Sequence, residues 1–317
     1  MRIVSLLASA TEIIAELGCL EQMVGRSHEC DYPPEILRLP IVSTTQININ
    51  TSSEQIDAQI KQLVRSKESV QGDALKALSI YSLDVDLLQQ LQPDVIFTQT
   101  QCEVCAVSER DVIQAIHYLT GLQPRVVSLT PYQLSDVWED VLRVGKALDR
   151  LEQAQMLVRS YQQRLEHLQD ITIRLRKDKA RPRVALLEWL DPLMASGNWT
   201  PELIAYAGGA NIFGEVGQHA PWLTWEELQA ADPDILVLAP CGFLLERTLQ
   251  EIDVLKQHPA WKELQAVRSG RVYAIDGNSY INRSGPRLIE SAEVLARVMW
   301  GEQAGIEVVK DAWQPVQ

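Results

Sequence analysis

The chain has 317 residues, is 46% hydrophobic and carries a formal net charge of −13, which is material for two domains of ordinary size. That charge excludes the one-sided Lys/Arg surface of a nucleic-acid binder, and no run of about 18 apolar residues is present to cross a membrane. Five cysteines at irregular positions, Cys19, Cys30, Cys102, Cys105 and Cys241, do not make a disulfide framework.

The first stretch, to about residue 132, alternates short β-branched runs with helical patterns. Arg2–Leu7, Met23–Arg26, Val95–Gln99 and Arg125–Ser128 read as strands. A helix from about Ser9 carries Ile13, Ile14 and Leu17 at helical spacing. The opening segment looks superficially like an export leader, but Glu12 and Glu16 fall where its apolar core belongs. As written, this predicts a cytoplasmic protein; a periplasmic one would require a misassigned start or non-standard export.

The second stretch, 133–180, contains no Pro and one Gly before its basic end. Val137, Val141, Val144, Leu148, Leu151, Leu157, Tyr161, Leu165 and Leu168 recur every three or four residues after a candidate cap at Ser135. The pattern predicts one long amphipathic helix, or two helices end to end. The third stretch, 181–317, restarts the α/β pattern with strands Val184–Glu188, Ile235–Ala239 and Arg271–Ile275, a helix over Pro201–Ala207 and a closing helix over Pro286–Trp300. Gly208 and Gly209 read as a helix C-cap. Pro93-Asp94 before Val95-Ile96-Phe97 is echoed by Pro233-Asp234 before Ile235-Leu236-Val237, each after a Leu-rich helix. The expected fold class is α/β: two lobes, each a mostly parallel sheet with flanking helices, joined by one long backbone helix. Such a layout puts a ligand cleft at the carboxyl ends of the strands.

Aromatic and polar side chains gather where those loops fall. Asp31 and Tyr32 follow the second strand; Glu188 and Trp189 end the first distal strand, with Trp199 beyond; Trp222 precedes a helix; Phe243 follows a strand end; Tyr280, Asn282 and Arg283 follow the last strand. Tyr and Trp offer wide apolar faces with one polar handle, which suits a large macrocycle; packing inside the core is the other use of the same residues. His28, Cys30, Cys102 and Cys105 form a second set, on loops after strands expected to be neighbours. Imidazole and thiolate donors suit zinc, iron or an axial position on cobalt, whereas a free Cys also serves as a small buried hydrophobe. No GxSxG, HExxH, Walker or GxGxxG sequence occurs, so no enzyme is expected.

Several segments together resemble a known family. They are Ser5-Leu6-Leu7-Ala8-Ser9-Ala10-Thr11-Glu12, the run Gly25-Arg26-Ser27-His28-Glu29-Cys30-Asp31-Tyr32-Pro33-Pro34, Ser196-Gly197, Gly208-Gly209-Ala210-Asn211-Ile212-Phe213, Pro221-Trp222, and Asn282-Arg283-Ser284-Gly285-Pro286-Arg287. In order and spacing the chain is similar to the substrate-binding proteins of ABC importers in which a rigid helix joins two lobes, most of all the cobalamin and iron-chelate branch. The resemblance implies binding of a bulky metal chelate, cobalamin or another corrinoid first, by a monomer that requires no cofactor of its own. It maps ligand contacts onto Tyr32, Trp189, Trp222 and Tyr280. It also places Asp86 and Glu226 where that branch docks onto the transporter permease, although an acid in the first turn of a helix equally serves the helix dipole. From another class comes a cytoplasmic zinc-, iron- or thiol-dependent protein using His28, Cys30, Cys102 and Cys105.

Overall fold

The hydrophobic runs of the first stretch become strands because β-branched and aromatic side chains are buried on both faces of a parallel sheet. The computed structural model describes residues 1–66, 81–99, 117, 121–177 and 179–316, which divide into two compact units: Met1–Pro131 with Ser135–Val158, and Tyr132–Leu134 with Arg159–Gln317. In the first unit β1 (Ile3–Ser5), β2 (Met23–Arg26), β5 (Val95–Gln99) and β6 (Arg125–Leu129) pair in parallel in the order β2-β1-β5-β6. Two three-residue strands, β3 (Ser43–Thr45) and β4 (Tyr81–Leu83), form a separate antiparallel pair. Helix α1 (Ala8–Glu16) is buried over most of its length, α2 spans Ser53–Ser66, and α3 (Val85–Leu91) sets Leu88 against Val4, Val42 and Ile96.

The Pro-poor stretch is two helices end to end, α4 (Leu134–Ala147) and α5 (Leu151–Arg176). Ser135 lies in the first turn of α4 instead of capping it. The break has a local cause. Asp149 takes φ 55°, which ends α4, and Arg150 N–H turns back to the Gly145 carbonyl at 2.7 Å. A side chain at Gly145 would put its Cβ 2.4 Å from that of Ala154, so the corner needs a glycine there. Apolar periodicity runs through such a corner unchanged, which is why the sequence admits both readings.

In the second unit β7 (Arg183–Leu190) and β10 (Ile235–Leu238) form the centre of a sheet ordered β12-β11-β10-β7-β8, with β9 (Ala210–Asn211) also on β7. β11 (Val272–Ile275) is parallel to β10, while β8 (Leu193–Ala195) and β12 (Trp313–Pro315) run antiparallel on the flanks. Ala185, Leu187, Leu236, Leu238, Trp261 and Val272 share one buried cluster. The flanking helices include α6 (Thr200–Tyr206), α7 (Trp225–Ala231), α8 (Leu245–Glu251) and α9 (Leu288–Trp300). No helix among the described residues is long and apolar enough to cross a membrane.

The echo between Pro93-Asp94 and Pro233-Asp234 is one device built twice. α3 is capped by the Asp84 carboxylate accepting from Leu87 N–H at 2.9 Å, and α7 by the Thr224 hydroxyl accepting from Glu227 N–H at 3.2 Å. Each helix stops on a left-handed residue, Gln92 (φ 45°) and Asp232 (φ 40°). A buried Pro follows. The next Asp then clamps the start of the neighbouring strand: Asp94 Oδ2 accepts from Arg2 N–H at 2.6 Å, and Asp234 Oδ2 from Arg183 N–H at 2.7 Å.

Candidate functional site

The carboxyl ends of β7, β10 and β11 carry most of the expected ligand residues. Trp189, near the end of β7, pairs across the antiparallel ladder with Met194, and Met194 makes an isolated bridge to Trp222. Residues directly opposite on paired strands share a face, so the three side chains form a row. The ring of Phe243 extends it, 5.4 Å from Trp189 and tilted by 58°, with the Arg247 guanidinium 4.9 Å above the Phe243 ring. Along this row exposure rises from 5% at Phe243 and 8% at Trp189 to 52% at Trp222.

Beside the row, Gly277–Ile281 winds into a turn of π-helix. A Cβ at Gly277 would meet the Pro240 carbonyl at 2.2 Å, so only glycine lets the turn lie against the end of β10. Asn282 Nδ2 donates to the Ala239 carbonyl at 2.8 Å and to that of Gly277 at 3.1 Å. Tyr280 and Arg283 are buried, and the Arg287 guanidinium sits 5.6 Å from the Tyr280 ring centre. Asp276 starts the turn by accepting from Ser279 N–H at 2.7 Å; burial pushes its carboxyl above the usual range. Trp199 is buried, and its indole N–H donates to the Ile281 carbonyl at 2.9 Å.

Glu188 is buried. Its Oε1 accepts from Gly197 N–H at 3.3 Å and from the Thr200 hydroxyl at 3.2 Å. Burial pushes the carboxyl up to about 7, and the two donors hold it back. The Cys241 thiol is pushed well above its ordinary value, first by burial and then by Glu188.

In the first unit the loop after β2 leaves Asp31 and Tyr32 exposed. His28 Nδ1 lies 3.4 Å from the Ser27 hydroxyl and 3.1 Å from that of Ser43. Cys30 is fully buried, and its sulfur accepts from the Thr11 hydroxyl at 3.0 Å. Cys102 and Cys105 lie outside the described residues. The expectation that the two loops of the thiol set follow neighbouring strands is corrected by the sheet order: β1 stands between β2 and β5, which separates the latter by roughly 9–10 Å. Among the described residues no group of three His, Cys, Asp or Glu side chains is arranged to hold a metal ion. Asp86 and Glu226 are exposed and equivalent, each the second residue of its seven-residue helix.

Residue types alone missed Arg247, Arg287 and the partners of Glu188. Gly197 and Arg287 each end a segment already singled out, whereas the use of Arg247 and Thr200 depends on contacts that no local pattern announces.

A family model described as "Periplasmic binding protein" matches residues 3–278. An ABC transporter substrate-binding lipoprotein of Bacillus subtilis, YvrC, is 24% identical over 301 residues, 94% of this chain and 80% of that protein. The vitamin B12-binding protein of Vibrio cholerae is 22% identical over 293 residues, 92% of this chain and 86% of that protein. Among solved structures, a periplasmic heme-binding protein from Pseudomonas aeruginosa superposes with a TM-score of 0.71 at 20% identity, covering 100% of this chain and 98% of that one. These matches overturn the expectation of a cytoplasmic protein and point to an extracytoplasmic setting. That expectation took a strand and a helix in the opening segment as a sign of compartment; β1 and α1 do form there, and they carry no information on compartment.

Proposed function

We propose, from a chain that belongs to the periplasmic binding protein family, that it is the substrate-binding component of an ABC importer and that its cargo is a bulky metal chelate, a corrinoid such as cobalamin before haem or an iron chelate. Proteins of this family bind and release; the chain is not an enzyme, and a chelate would be cargo, not cofactor. The observation that carries the reading is the row Phe243–Trp189–Met194–Trp222, anchored in the core at one end and half exposed at the other. A half-exposed indole backed by a polarizable thioether, a buried second indole and a phenyl ring suits a large flat ring system better than a small polar solute. Names among the relatives support the same class, vitamin B12 in one case and heme in another. Within the same unit, Tyr280, Asn282 and Arg283 would supply further contacts.

The test is spectroscopic titration of the protein with cyanocobalamin, haemin and a ferric siderophore, repeated with Trp222→Ala. Because Trp222 is half exposed, its loss should spare the fold and weaken binding of the cognate chelate by about 2 kcal/mol, roughly thirtyfold. No spectral change with any of the three, or wild-type affinity in the variant, refutes the reading. The protein would act as a monomer, with Asp86 and Glu226 meeting basic residues of a permease; reversing both charges should lower uptake without changing affinity for the chelate. The thiol-dependent alternative is not favoured, because Cys30 is sealed in the core and committed to Thr11.

A further inference from the structure

Glu188 immediately precedes Trp189, and a chain of contacts leads from its carboxyl to both ends of the aromatic face. Oε1 takes the Gly197 N–H and the Thr200 hydroxyl, so it fastens the loop between β8 and α6 to the end of β7. That loop has no slack: a Cβ at Gly197 would lie 2.4 Å from Ala220 N and 2.6 Å from the Gln218 carbonyl. Asn198 N–H donates to the Gln218 carbonyl at 2.7 Å, and Ala195 N–H to that of Pro221 at 2.9 Å. The segment so gripped runs directly into Trp222. In the other direction Trp199, on the same loop, holds the Ile281 carbonyl beside Tyr280.

We propose that Glu188 is a positioning residue: protonated, its carboxyl keeps the Gly197–Thr200 loop packed and the aromatic row in its binding arrangement, and ionisation loosens both. The inference rests on the chelate-binding reading of that row. The physical reason is the cost of an ionised carboxylate away from water, which only two neutral donors offset here. With the carboxyl pushed up to about 7 by burial, both forms are present near neutrality. Ionisation is relieved by letting water in under the loop, so the packed, ligand-competent state binds the proton more tightly than the loosened one. Linkage then fixes the sign and the window: affinity is highest on the acid side, falls as pH rises from about 4.5 to about 7, and is level above that.

The titratable groups around Glu188 do not reverse this. Beyond β10 the Cys241 thiol, itself raised by burial and by Glu188, stays neutral. On α6, Glu202 accepts from Leu134 N–H at 2.8 Å and acts on Tyr206. On the π-turn, Asp276 is acted on by Arg287 and Arg283.

Glu188→Gln tests the inference, because a carboxamide keeps the acceptor for both donors and cannot ionise. Two quantities are followed from about pH 5 to about pH 9: the tryptophan fluorescence of ligand-free protein, and the Kd for cyanocobalamin and haemin. Wild type should show a fluorescence transition on the acid side of neutrality and bind roughly tenfold more weakly at pH ~8 than at pH ~5. The Gln variant should lack that transition and hold the wild-type acid-side affinity throughout. Thr200→Val, which removes one of the ionised form's donors, should carry the fall in affinity to higher pH. Identical pH profiles in wild type and both variants overturn the inference. Should Glu188→Gln not fold, an unchanged profile in Thr200→Val overturns it alone. A Glu188-dependent fluorescence transition without binding of either chelate would instead uphold the positioning role and sink the chelate reading.

Discussion

Trp199→Phe should destabilise the second unit far more than a change of aromatic side chain ordinarily does. The side chain is 5% exposed, and its indole N–H donates to the Ile281 carbonyl at 2.9 Å. Phenylalanine cannot donate, so that carbonyl is left buried without this partner, which costs about 1–3 kcal/mol. The smaller ring also removes on the order of 40 Å² of buried apolar surface, about 1 kcal/mol at 25 cal/mol/Å², before any cavity is counted. The sum is about 2–4 kcal/mol. Trp313→Phe is the control. Trp313 lies half-buried on the edge strand β12, with its ring 5.7 Å from that of Tyr273 in an edge contact that Phe preserves, and should cost under about 1 kcal/mol. Urea unfolding followed by near-ultraviolet circular dichroism measures both. Because the chain has two units, the midpoint assigned to the second is the one to compare. A Trp199→Phe loss no larger than that of the control would show that the indole bond does not hold the π-turn and would break the link drawn from Trp199 to Tyr280.

Gly214→Ala should be among the most damaging single changes in the second unit, since φ is +77° and the new Cβ would lie 1.9 Å from the Ser196 carbonyl; a variant with a melting temperature within a few degrees of wild type would refute it. Asp94→Ala and Asp234→Ala should each cost about 1–2 kcal/mol in their own unit, the second more because Asp234 Oδ1 also accepts from Gln265 Nε2 at 3.2 Å; equal, near-zero losses in chemical denaturation would mean that water replaces the clamp. Stability should fall as pH rises from about 4.5 to about 7. Folded Glu188 is raised from the usual 4.5 to about 7, so in that window the folded state binds the extra proton, and the loss reaches at most about 3 kcal/mol. Urea midpoints of the second unit at the two ends of the window check it, and Glu188→Gln should shrink the difference, leaving the share of Asp276, whose carboxyl burial also raises.

The sequence was most legible where one physical demand dominates. β2 and β5 form over Met23–Arg26 and Val95–Gln99 as read; the run Val95-Ile96-Phe97 in β5 is apolar because a strand inside the sheet is covered on both faces. The three-residue strands β3, β4 and β12 were illegible: at that length an antiparallel edge has no period to detect. The helix corner at Asp149 hid for the opposite reason, since a periodic pattern continued on both sides of one left-handed residue. In the site, residue type located Trp189, Trp199 and Trp222 together but could not rank them. Only the ladder Trp189–Met194–Trp222 and the exposures tell an anchored indole from a presented one. The thiol set failed on topology, because alternating strand and helix fixes a parallel sheet without fixing that β1 lies between β2 and β5.

The doubled clamp explains how one chain builds two such units from dissimilar sequence. What recurs at Asp84–Val95 and Thr224–Ile235 is a set of backbone requirements: a side-chain acceptor at the helix start, a left-handed stop, a proline that cannot continue the helix, and a carboxylate for the first strand's free N–H. Each can be met by more than one residue, as Asp84 and Thr224 do for the cap, so identity drifts while geometry is held. The same device leaves the second residue of each helix exposed and uncommitted to capping, and both of those residues, Asp86 and Glu226, are acids. Capping needs Asp84 and Thr224; it does not need them. An acid there gains about 0.3–1 kcal/mol from the helix dipole; under the proposed function, a basic permease surface would give both acids a second use.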